Sequence, residues 1–299
     1  MRSHSLFLAL FCAIGAAVPA CDGSTIDLGD PRPLPYKFGA PKLLTELGTT
    51  TYSNQNPTLT ADLLEIYFTS NRGDTGGDVW TARRASASDP FDEPTRVAEV
   101  SSPDYETSPA ISLDGLTLYF GSDRDGTAGG LDIWSATRPD RTTPWSAVEN
   151  LTALSSATND IPRPPGQHGL VMPMASERDS ASGGYKTYLS ARPAFDQPFD
   201  VGAVVSGLAP ADIFADAFLS DDGLTMFYAA AVNGNKPDMF VAWRLSTADR
   251  FSLPTPLTDL NTPHDERDPW LSPDGTRFYF TSDRGNGLLQ IYEATASRK

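Results

Sequence analysis

Residues 272–284 read SPDGTRFYFTSDR, and residues 112–124 read SLDGLTLYFGSDR. Sliding this phrase along the chain finds three fainter copies: TADLLEIYFTSNR at 60–72, GQHGLVMPMASER at 166–178 and SDDGLTMFYAAAV at 220–232. Successive copies begin 52 to 54 residues apart. A period near fifty, held that closely, marks a propeller or solenoid array.

Each copy carries the same further parts. An aromatic-centred strand follows: DVWTARR (78–84), DIWSATR (132–138), KTYLSAR (186–192), DMFVAWR (238–244) and QIYEATA (290–296). Then an aromatic opens a Pro-containing strand, at Phe91, Trp145, Phe199 and Phe251. The last copy lacks this final strand; the others' aromatic lies 23 residues before the next copy's third position, and 24 residues back from Asp62 in the first copy stands Phe38. A ring closed by an N-terminal strand that completes the last blade explains this split unit; a solenoid has no use for one. The expectation is an all-β, five-bladed β-propeller of four-stranded blades. SPDG suits a tight turn. LTLYFGS and TRFYFTS carry apolar side chains in both alternation phases, as sheets covered on both faces do. No stretch beyond the N-terminus shows a sustained helical period.

The N-terminus has the form of an export signal. Arg2 precedes the apolar run LFLALFCAIGAAV (6–18), which is too short for a stable bilayer span. VPAC (18–21) follows, and Ala20-Cys21 resembles the bacterial lipobox, in which the cysteine is lipidated and becomes the mature N-terminus. Pro19 is untypical there, so ordinary cleavage after Ala20 is the alternative. Cys12 leaves with the signal, and Cys21 alone remains, so neither a disulfide framework nor a cysteine metal cluster is available. The chain divides into a signal peptide (1–20), a lipobox cysteine with a Pro- and Gly-containing tether (21–37), and one propeller domain (38–299). The formal net charge of −15 makes nucleic acid an unlikely partner and favours cations or basic surfaces.

The combination S-P-D-G, Y-F-x-S-D-R and D-I-W resembles the TolB-type, WD-repeat-like propeller repeats of bacterial envelope proteins, over residues 38–296. The resemblance implies a propeller in the cell envelope. It implies little about function, since this repeat serves many roles, and a tether alone is expected ahead of the propeller, where TolB carries an additional N-terminal domain.

Candidate functional residues follow from where the repeat is uniform and where it breaks. Asp114, Asp222 and Asp274 belong to turns, and the recurring Arg72, Arg124, Arg178 and Arg284 read as braces reaching a carboxylate in their own or the next blade. SDRDGTAGGLD (122–132) offers acids among glycines but lacks calcium-loop spacing and reads as a hairpin loop. Glu106, Asp160, Asp216, Glu266 and Asp268 are read as preceding the first, channel-lining strand of each repeat and are expected to gather at one mouth as a ligand-binding acidic ring. Blade three departs most, with His168 in place of the turn Asp and Pro162, Pro164, Pro165 and Pro173 nearby; His168, Met172 and Met174 form a second candidate surface. Only His168 and His264 remain after export, and no G-x-S-x-G elbow exists, so no catalytic residue, metal or cofactor is assigned. The expected function is a non-catalytic, lipid-anchored envelope propeller binding a protein, peptide or glycan. Its alternative is a carboxylate-dependent glycan hydrolase or lyase, since five-bladed propellers host such enzymes.

Overall fold

In the computed structural model, residues 35–73, 76–179, 184–206, 208, 216–231 and 235–299 are described. Cys21, the signal and nearly all of the tether lie outside them. The described residues contain strands and turns and no helix.

Five antiparallel sheets follow one another along the chain. Blade 1 comprises Asn54–Leu59, Glu65–Ser70, Asp78–Arg83 and Thr95–Arg96. Blade 2 comprises Glu106–Ile111, Thr117–Ser122, Asp132–Thr137 and Ser146–Asn150. Blade 3 has a shortened inner strand, Asp160–Pro162, then Val171–Ser176, Lys186–Ala191 and Ala203–Val204. Blade 4 has Phe218–Leu219, Thr225–Ala230, Asp238–Trp243 and Thr255–Pro256. Blade 5 is built from Glu266–Leu271, Arg277–Ser282 and Gln290–Arg298. Its outer edge is supplied from the other end of the chain: Phe38 pairs with Ala296, and Leu43 with Tyr292. The five-bladed propeller and its closure by the N-terminal segment are both present.

Three aromatic contacts between blades share one rule. The second-strand aromatic of one blade meets the outer aromatic of the next: Tyr67 with Trp145 at 6.0 Å, Tyr119 with Phe199 at 6.1 Å, Phe227 with Phe38 at 6.3 Å. Phe38 therefore takes the outer aromatic's place in blade 5, which the spacing alone had assigned to it. The phrase turns as its chemistry predicts. In SPDG the Gly275 N–H donates to the Ser272 carbonyl at 2.8 Å, and Gly275 has φ 70°, a conformation in which a side chain is strained. Asp274 Oδ1 accepts from Ser272 Oγ and the Thr276 N–H.

Two arginine series hold the blades. The first is the arginine ending the phrase. Arg124 Nε donates to Ser122 Oγ at 2.9 Å, and its Nη2 donates to Glu106 Oε1 at 2.9 Å and to the Val100 carbonyl on the connection from the previous blade. Its guanidinium lies 5.0 Å from both the Phe120 and Trp134 rings. Arg178 repeats the pattern with Ser176, Asp160 and Leu154, and Arg284 with Ser282, Glu266 and Leu260. In blade 1 Asn54 replaces the acid before Arg72. The second series was not anticipated as one. Arg84, Arg138, Arg192 and Arg244 stack 4.2–4.5 Å from Phe91, Trp145, Phe199 and Phe251. Each donates from Nε to a carbonyl of its blade's inner hairpin turn, Leu63, Gly115, Gly169 or Gly223. One series clamps the blade start, the other its outer edge.

Glu106 is fully buried and also accepts from the Ser102 N–H and Oγ and from Ser122 Oγ. Removing one member of such a pair strands the other, at a cost of about 3–5 kcal/mol. Glu106→Ala should therefore lower unfolding stability in urea by about that amount, while Glu106→Gln, which keeps an acceptor, should lose less. Equal, near-zero losses for both would show that the pair carries no weight.

Candidate functional site

The five acids expected as one ring fall into two registers. Glu106, Asp160 and Glu266 are the first residues of their inner strands, are wholly inaccessible, and spend their oxygens on the arginine clamps. Asp160 Oδ2 also accepts from the Ser156 N–H and Glu266 Oε2 from the Thr262 N–H, both fixing the preceding turn. These three form no open mouth, contrary to the sequence-based expectation, because the recurring arginines claim them.

Two residues further along each strand the chain reaches the axis. Around a common space stand Asn56-Pro57, Asp268-Pro269, Asp216-Ala217, Arg163-Pro164 from blade 3 and, of the Ser108-Pro109 dipeptide in blade 2, Pro109. Asn56, Ser108 and Asp268 all have positive φ, between 52° and 57°. The register of each inner strand shifts at these dipeptides. A bulge leaves a residue unpaired, so proline's missing N–H costs no ladder bond there.

The side chains converge on Arg163. Its Nη2 contacts Asp216 Oδ1, and its Nη1 lies 3.6 Å from Asp268 Oδ1. Asp268 also takes the Asn56 N–H at 3.0 Å and Asn56 Nδ2 at 2.6 Å, linking blade 5 to blade 1. Burial, with the Asp216 charge beside it, pushes the Asp268 carboxyl up to about 7 against the opposing pull of Arg163 and Arg267. Arg267, nearby, is held protonated by its bonds to Asp265 and by the Asp216 and Asp268 charges, although burial opposes this. The space among the five dipeptides is about 10 Å³, roughly one water.

This arrangement can do little chemistry on a sugar. Acid–base hydrolysis needs two carboxyls about 5–9.5 Å apart with the glycosidic bond between them. Between Asp216 and Asp268 a guanidinium already sits.

The second candidate surface also divides. Met172 and Met174 are buried in the core between blades 2 and 3, beside Tyr119, Tyr188 and Phe199, and cannot meet a ligand. His168 is 82% exposed, and its Nδ1 lies 2.7 Å from Asp221 of blade 4. It borders a separate cleft. Arg163 was missed by sequence reading, though a signal existed: it is the arginine in PRPP, one residue beyond the register of Asn56, Ser108, Asp216 and Asp268.

No family model and no curated protein matches the chain. Solved structures do. TolB from Acinetobacter baumannii is 15% identical, with a TM-score of 0.50 over 82% of this chain and 55% of that one. The chain thus spans about half the length of that TolB. A thermostable family-43 glycoside hydrolase is 12% identical, with a TM-score of 0.57 over 84% of this chain and 91% of the other. The α-L-arabinofuranosidase from Lactobacillus brevis is also 12% identical at a TM-score of 0.57, covering 83% and 92%. At such identities the likeness establishes a shared propeller fold and leaves chemistry to the site.

The axial cluster makes a pH prediction. A carboxyl raised in the folded state stabilises the fold by taking up a proton, an effect lost as pH rises through the raised value. Between pH 5 and 8 the wild type should therefore lose stability that Asp268→Asn does not lose. Urea midpoints of the two proteins should shift in the variant's favour across that range; parallel pH profiles would contradict the raised Asp268.

Proposed function

We propose that the protein is a non-catalytic envelope propeller, tethered through a lipid on Cys21, that binds a protein, peptide or glycan partner. The observation that carries the non-catalytic part is the axial clamp: the two carboxylates that could have served hydrolysis share Arg163 in a space of about 10 Å³. The repeat's resemblance to TolB-type propellers and the fold likeness to TolB support an envelope role. The N-terminal apolar run and Ala20-Cys21 support export and anchoring.

The competing reading is a glycan hydrolase or lyase using Asp216 and Asp268. The raised Asp268 is the property that favours it, since a general acid must hold a proton near neutral pH. For that reading Arg163 must leave its two partners when substrate enters, exposing two buried carboxyls.

Two measurements separate the readings and test the anchor. The purified protein should release no product from a panel of arabinan, xylan and peptidoglycan fragments. Turnover abolished by Asp268→Asn would establish the enzyme instead. Cell fractionation should place the wild type with membranes and Cys21→Ala in the soluble fraction; identical partitioning would remove the lipid anchor.

A further inference from the structure

On the face carrying the inner hairpin turns, a cleft of about 400 Å³ opens among blades 3, 4 and 5. It lies where the repeat breaks. In blade 3 the inner strand stops at Pro162, and Pro164-Pro165 lead the chain sideways toward blade 4. Gly166 then rests against the backbone of blade 4, where an added Cβ would come within 2.8 Å of the Leu219 carbonyl oxygen. The following turn holds Gln167 and His168 at φ 50° and 54°, two non-glycine residues in the left-handed region side by side. Such strain persists only where the surroundings impose it. Here Asp221 imposes it, accepting from the His168 backbone N–H while its other oxygen faces the imidazole.

The cleft has apolar walls and an acidic rim. Pro164, Pro165, Phe218 and Leu271 line it, with Asp221, Asp222 and Asp274 above them. Burial pushes Asp222 up, but hydrogen bonds from Ser220 and the Leu224 N–H, with the charge of Arg298, together outweigh it and hold the carboxyl below the usual range. Asp274 is likewise held low, its turn hydrogen bonds outweighing burial. Both are therefore charged at neutral pH. One cation already uses this rim: Arg298 approaches Asp222 at 3.4 Å with its guanidinium 5.9 Å over the Tyr36 ring, while 59% of its side chain stays in solvent.

We infer that this cleft is a peptide-binding site for an extended segment carrying an apolar side chain next to a lysine or arginine. The apolar side chain enters between Pro165 and Phe218, and the basic one takes the place at Asp222 that Arg298 now holds loosely. The volume falls within the usual range for ligand sites, about 300–1,000 Å³, and the net charge of −15 steers a basic segment toward the protein. This rests on the binding-propeller reading and names its partner class.

The test is fluorescence anisotropy with the full-length protein. One probe is a labelled Gly-Ser peptide with a Leu-Lys-Leu-Arg core; its twin carries glutamates at the basic positions. The basic probe should bind and the acidic twin should not, with affinity falling as salt rises. Asp222→Asn with Asp274→Asn keeps the turn acceptors and removes the charge, and should weaken binding about tenfold or more. Ser297→Trp, a substitution at an exposed cleft residue, should block it. Arg298→Ala should strengthen it by vacating Asp222. Failure of the basic probe to bind, equal binding of both probes, or indifference to Ser297→Trp in a folded variant would overturn the assignment. Glycan turnover in the separate hydrolysis assay would overturn the reading beneath it, so the two failures are distinguishable.

Discussion

Blades 2, 3 and 5 depend on one interaction, the buried pairing of the phrase-ending arginine with the acid that opens the inner strand. A single guanidinium joins four pieces that are remote in the repeat: a serine on the second strand, a carboxylate on the first, a carbonyl on the incoming connection and the aromatic faces beside it. Burying an ion pair seldom adds much net stability, because desolvation offsets the attraction. Its value is geometric. The planar fork accepts one arrangement of its partners, and that arrangement fixes where each blade begins relative to the last.

Blade 4 lacks the pair. At its repeat positions the sequence has Phe214 where the others have Asn54, Glu106, Asp160 and Glu266, and Val232 where they have arginine. Both charges are absent there, whereas blade 1 keeps Arg72 and meets it with the neutral amide oxygen of Asn54. Blade 3 keeps the pair, through Asp160 and Arg178, and instead loses its regular inner hairpin to prolines. The ring is thus regular in blades 1, 2 and 5 and altered in two adjacent blades. The cleft lies beside blades 3 and 4, where both depart from the rule.

How much of this could be read in the sequence depends on how local the determinant is. The period, the turn chemistry of Ser272 to Gly275 and the place of Phe38 are all spacing, and spacing is linear. The fate of Glu106, Asp160 and Glu266 is not. Their types and positions fit a ring of free acids equally well, and only the reach of Arg124, Arg178 and Arg284 across the hairpin decides that they are consumed. Met172 and Met174 mislead for a related reason. In a blade covered on both faces, alternation does not separate surface from core, so a divergent sequence resembles a divergent surface. Arg163 escaped because it lies one residue off the register shared by the other axial residues.

That offset matters for the axis. Blade 3 presents Pro162 at the shared register, a residue with no polar group to place between two carboxylates, and the shortened strand brings the next side chain inward instead. Asp216 and Asp268 stand together in a space of about one water, and a cation lies between them. Arg163 supplies it, and Asn56 takes up the second oxygen of Asp268. The prolines that spoil the hairpin thereby deliver the charge between the two axial carboxylates, so the same irregularity shapes the centre of the ring and the cleft beside it.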